Sequence, residues 1–295
     1  MAIISSAAIG KAKGSLGNLT YRYLSGETVA SNKVAFPKVP RTLNQMVRRI
    51  GWGNVVNLWQ TYDGDLHPSF EQATGRVSDF NLFIGRNNGK APFLTQAEAK
   101  AGGCVVAPYK VTEGSLTPIS NGIDANGIIT SNLNVGSLVI NDETTIAAFS
   151  AAIKANNSGW QYGDQLSAFI HIQSFDAVNN VPRVVTRAYE VTLNEDSETL
   201  LVDVLGNNNE CFMVSNQKLR FATAINGGGC YVHSRKGADG ETLVSTQYIV
   251  VTNDIEQQYS NETQAIAAIQ SYGGKTTSPF LTPNFGTPLA DIINP

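Results

Sequence analysis

The chain has 295 residues, enough for one large core or two ordinary ones, and only 15% of them are charged, against about 25% in an average soluble protein. No apolar run approaches the roughly 20 residues of a membrane span, and MAIISSAAIG lacks the basic start of a secretory signal, so neither a membrane nor an export route is expected. The net charge of −3 hides a division: residues 1–50 hold eight cations and one acid, whereas the remainder holds 13 cations and 23 acids.

The basic segment comes first. In LTYRYLSGETVASNK, residues 19–33, Leu19, Tyr21 and Tyr23 alternate with Thr20 and Arg22, Ser25-Gly26 supplies a turn, and a return strand follows. Phe36-Pro37 and Val39-Pro40 then form an extended spacer. After it, Leu43, Met46, Val47, Ile50, Val55 and Trp59 recur at helical steps behind Thr42, with a break expected at Gly51 and Gly53. A second helix is expected from about Pro68 to Arg86 on Phe70, Ala73, Val77, Phe80 and Ile84, and a short third from Thr95 to Ala101.

From Cys104 onward the pattern turns to strands. CVVAPYKV, LSAFIHIQSF, RVVTRAYEVTL, TLLVDVL, KLRFATAI, GCYVHSR and ETLVSTQYIVV are short strand candidates separated by Gly, Asn and Asp turns, a spacing that suits a sandwich or barrel. One helix interrupts them, capped by Asp142 and carrying Ile146, Phe149 and Ile153. A last short helix, ETQAIAAIQSY, precedes the proline-rich segment KTTSPFLTPNFGTPLADIINP, read as an apolar strap that lies along another surface. The expected organisation is a basic arm with a β-hairpin at 1–40, a helical region at 41–103, a β-sandwich at 104–255, and a short helix with an extended strap at 256–295.

No recognised catalytic or metal motif appears. His67, His171 and His233 share no ligand spacing, and His171 reads as a structural strand residue. Cys104, Cys211 and Cys230 are odd in number and far apart, as expected for buried reduced thiols. NGGGCY at 226–231 reads as a hairpin turn, since nothing places it between a strand and a helix as a dinucleotide site requires. Asp63, Asp65, Asp142, Glu143, Glu195, Asp196 and Glu198 read as solvated turns and helix starts. The expectation is a protein without enzymatic activity, cofactor or metal.

Charges of opposite sign on two parts of one chain favour head-to-tail association, so the basic segment is read first as a docking arm. A merely solvated segment and a nucleic-acid arm, with Tyr21, Arg22 and Tyr23 as its suggestive feature, are the other readings. A carbohydrate- or surface-binding module is a further alternative, with Trp160, Tyr162, Tyr231 and Tyr248 as a possible aromatic platform.

Gly14, Gly17, Asn18, Tyr21 and Gly26 follow the order G-x-x-G-N-x-x-Y-x-x-x-x-G, and LNQMVRR, YKVTEGSL and LVSTQYIVV come later. Across residues 9–252 this resembles an uncharacterised domain family common in Bacteroidota and their phages, which pairs an N-terminal hairpin and helices with an immunoglobulin-like β region. The helix near 143–155, WQYGDQLSAFIHIQ and AIQSYGGKTTSPFLTPNF depart from the short cellular members and look more like structural proteins of crAss-like phages. The resemblance implies an α+β, mainly β fold and a non-enzymatic virion protein of a neck or tail ring, assembled in the bacterial host cytoplasm. Its partners would be copies of itself and portal, neck or tail components, with neither membrane nor nucleic acid. Tyr21, Arg22, Tyr23, Phe280, Phe285 and Leu289 are the candidate interface residues.

Overall fold

The computed structural model describes residues 2–4, 14–24, 27–33, 43–62, 68–73, 77–88, 90, 94–206, 210–238, 240–252 and 258–271. It is an α+β structure with more strand than helix and several antiparallel sheets. The chain divides at Thr42/Leu43 into two compact units.

The first unit is a four-stranded antiparallel sheet of β1 (Ala2–Ile4), β2 (Gly14–Leu16), β3 (Leu19–Leu24) and β4 (Glu27–Asn32), in the order β1-β4-β3-β2. The expected hairpin is its centre, with Leu19 opposite Asn32 and Leu24 opposite Glu27. Positive φ at Gly17 (56°) lets the β2–β3 turn close in two residues, a conformation that a side chain resists.

The second unit begins with α1 (Leu43–Trp59), β5 (Ser69–Phe70), α2 (Asp79–Asn87) and α3 (Gln96–Lys100). Contrary to the expected break, α1 runs unbroken through Gly51 and Gly53; a Cβ at Gly53 would lie 3.7 Å from that of Ala99, so α3 packs close there. The second helix starts later than its apolar stripe suggests. Ser78 caps it by accepting from the Asn81 N–H, while Phe70 lies in a strand parallel to β6 (Lys110–Glu113). Thr95 and Glu98 form a reciprocal capping box on α3.

Next come β7 (Asn121–Ile123), β8 (Ile129–Asn134), α4 (Ile146–Asn156), β9 (Gln165–Asp176), β10 (Val181–Thr192) and α5 (Leu201–Leu205). They are followed by β11 (Met213–Ser215), β12 (Lys218–Arg220), β13 (Gly227–Lys236), β14 (Thr242–Val244), β15 (Gln247–Tyr248), β16 (Val250–Val251) and α6 (Glu262–Gln270). The largest sheet runs β10-β9-β13-β14, with β16 also on β13; β11-β12-β8-β7 and β15-β6-β5 form two smaller sheets.

Four expectations are corrected here. TLLVDVL contains a helical turn, because Leu201 and Leu205 at i and i+4 both enter the core. The cap of α4 is Thr145, which accepts from the Ala148 N–H, not Asp142. NGGGCY is strand: Gly227, Gly228 and Gly229 lie in β13 between β9 and β16, where a Cβ on Gly229 would come within 2.5 Å of the Phe169 carbonyl. Residues 104–107 and Tyr109 are buried, but the segment forms no strand. Side-chain amides bind their backbone instead: Asn54 Oδ1 accepts from the Val105 N–H (2.8 Å) and Gln173 Oε1 from the Val106 N–H (2.9 Å).

Strand β9 is buried on both faces, and this organises the unit. Leu166, Ala168 and Ile170 enter one core with Tyr231, Ile129, Leu133, Leu219 and the apolar face of α4. Phe169 points the other way into a second core, with Val184, Cys230, Val232, Tyr109 and residues of α1, α2 and α6. The large sheet is therefore a middle layer, with helices and the 104–109 segment on one side and the β8/β12 sheet and α4 on the other.

Candidate functional site

Of the expected interface residues, Tyr21, Arg22 and Tyr23 are consecutive in β3, opposite Ala30, Val29 and Thr28. Alternation places Arg22 in solvent, while Tyr21 is half-buried. Phe280, Phe285 and Leu289 lie outside the described residues, as do Asp63, Asp65 and His67. Within the first unit β1 and β2 are the sheet's edge strands, and Thr28 and Ala30 are buried.

The four aromatics proposed as a platform have separate fates. Tyr231 is fully buried, and its hydroxyl donates to the Cys211 carbonyl at 2.5 Å. Trp160 stacks on His233 at 3.8 Å, and the Lys154 ammonium sits 3.8 Å above the Tyr162 ring. Tyr248 is 46% exposed, with the Lys90 and Lys110 ammonium groups 5.4 and 5.3 Å from its ring centre.

Beneath Trp160 lies a charged cluster that no sequence motif announces. Asp164, with no exposed side-chain surface, accepts from Arg235 Nη2 at 2.7 Å, His233 Nε2 at 2.9 Å and the Gln161 N–H at 2.9 Å. Burial pushes its carboxyl pKa up, but the Arg235, Gln161 and His233 hydrogen bonds outweigh that and hold it below the usual carboxylate range. Burial lowers the His233 pKa despite its carboxylate partner, so a neutral imidazole donates to an ionised Asp164. The three groups around this carboxylate satisfy its hydrogen-bonding capacity.

His171 is equally inward-looking: it is fully buried, bonds the Tyr62 hydroxyl at 2.6 Å, and burial lowers its pKa to about 3. The thiols of Cys104, Cys211 and Cys230 are buried and free, their pKa values pushed up by burial. Asp142, Glu143, Glu195, Asp196 and Glu198 are exposed. Among the described residues no three His, Cys, Asp or Glu side chains are placed to hold a metal ion, and no helix is long and apolar enough to cross a membrane.

Among the clefts on the second unit are two lined by described residues. The first, about 300 Å³, lies over β9, β10, β13 and β14 and is lined mainly by Asp79, Gln165, Ser167, Glu190, Ser234 and Lys236. The second, about 420 Å³, is lined by Pro108, Asn121, Gly122, Ile123 and Tyr248–Val250. Both draw on residues far apart in sequence, so neither leaves a local motif. A cross-strand pairing of Tyr248 with Lys110 is the one signal, and it requires the register to be known. Compared with protein-family models, curated proteins and solved structures, the chain matches none.

Proposed function

We propose that the chain is a non-enzymatic structural subunit of a phage particle, part of a neck or tail ring held together by extended arms. In this reading the two sheets around the β8/β12 core are an immunoglobulin-like sandwich with α4 inserted, and the arms join copies of the chain to one another and to other virion proteins. The observation that carries it is the division at Thr42/Leu43. Residues 1–42 hold six cations and one acid, whereas residues 43–295 hold 15 cations and 23 acids. A small sheet with two edge strands is suited to strand addition, and the excess of cations in the sequence of residues 1–42 suits electrostatic attraction by an acidic neighbour. The Asp164 cluster of the second unit, whose groups bond one another, agrees with a mechanical role.

Sedimentation of the full chain across concentration, with imaging of any closed species, tests this. Rings or stable oligomers that weaken as salt rises are expected; a monodisperse monomer that never enters particles would sink the reading. A second reading, binding of a hydroxyl-rich ligand such as a glycan, is favoured by the polar cleft at Gln165, Ser167, Glu190 and Ser234. Glycan-array signal lost in Glu190→Ala would support it, and a blank array removes it.

A further inference from the structure

The cleft beside Tyr248 combines three features. The first is an edge: β7 ends the β11-β12-β8-β7 sheet and lines the cleft, so an extended chain can pair there. The second is exposed apolar surface, with Tyr248 at 46% and Ile123 at 44%, beside Pro108 and Val250. The third is an excess of positive charge. Lys110 shares Glu113 with Arg86, at 3.1 and 2.6 Å. Lys90 donates to the Pro108 carbonyl at 2.9 Å and, among the described residues, pairs with no carboxylate.

Both lysines reach the same ring, which holds two like charges near one another at the rim of an apolar cleft. Burial, and then repulsion from Lys110, lowers the Lys90 pKa to about 8. The chemistry that fits is an extended segment with one carboxylate between aliphatic side chains. The sequence contains such a segment in Leu289-Ala290-Asp291-Ile292-Ile293, preceded by Pro288. In an extended strand Leu289, Asp291 and Ile293 share a face.

We propose that this cleft takes residues 289–293 of a second copy of the chain, paired along β7, with Asp291 between Lys90 and Lys110 and Leu289 and Ile293 over Tyr248 and Ile123. The inference rests on the assembly reading above and names one of its contacts.

The test uses the full chain and a fluorescent synthetic peptide of residues 284–295, followed by anisotropy. Saturable binding is expected, weakened roughly fivefold by Lys90→Glu or by an Asp291→Asn peptide, the weight of one partly exposed ion pair. An Asp291→Lys peptide should bind Lys90→Glu better than it binds the parent chain, a recovery that misfolding could not produce. Absence of binding, or equal affinity for the parent and Asp291→Asn peptides, overturns the proposal. Sedimentation separates the two levels. Oligomers unaffected by Lys90→Glu overturn this contact and leave the assembly reading standing, whereas a monomer that still binds the peptide supports the contact and removes that reading.

Discussion

Asp164, His233 and His171 show what buried polar groups contribute at the scale of single residues. Asp164→Ala would leave the Arg235 guanidinium without its anion beneath Trp160, and a loss of about 3 kcal/mol is expected in denaturant unfolding. The histidines set a pH dependence of definite sign. Each has a folded pKa below its unfolded value, so below about pH 6.5 the unfolded chain binds the extra proton, for His171 down to about pH 3. Stability should be full above the unfolded pKa and fall with acidification, by up to about 1.4 kcal/mol per pH unit for each histidine. The depressed Asp164 carboxyl acts in the same direction, its contribution being lost as pH drops through its folded value. His171→Gln should be less stable at neutral pH yet show a flatter profile; an unchanged slope would mean that His171 titrates normally. The alternating pattern placed His171 in a strand, where β9 has it, but Asp164, His233 and Arg235 are separated by up to 71 residues and meet only through the register of β9 and β13.

Among the elements, legibility followed the range of the signal. Strands with one wet face, and helices with a local cap such as Thr95, were readable because alternation and capping are short-range signals. The misreadings fall where tertiary packing overrides local pattern. Gly227–Gly229 looks like a turn because glycine is common there, but in β13 these glycines are bare so that β9, β16 and the Phe221 ring can close in. Gly229→Ala would place a Cβ 2.9 Å from Phe221 and closer still to the Phe169 carbonyl, and should cost about 2 kcal/mol or more by thermal unfolding. A neutral result would show that β13 can shift. The segment 104–109 was legible as apolar; its lack of a strand partner was not, because Asn54 and Gln173 stand in for one from 51 and 67 residues away. The candidate site was less legible than the fold: Tyr248 was singled out as an aromatic, but the lysines above it carry no mark in sequence.

For the whole molecule, the middle-layer position of β9 and β13 ties the two cores of the second unit together. Cys104 and Cys230 sit in one core and Cys211 in the other, so the chain carries a chemical reporter on each side of the shared sheet. A layer common to both cannot lose one neighbour without exposing its own apolar face, which makes separate melting of the halves unfavourable. Treated with an alkylating reagent under native conditions, the three sulfurs should be modified slowly and at one common rate, the rate of global opening. Earlier labelling of Cys211 alone would reveal that the β8/β12 side peels away first, leaving the strands inherited by both halves half uncovered. The tempo of thiol capture thus becomes a clock for cooperativity that needs no engineered probe.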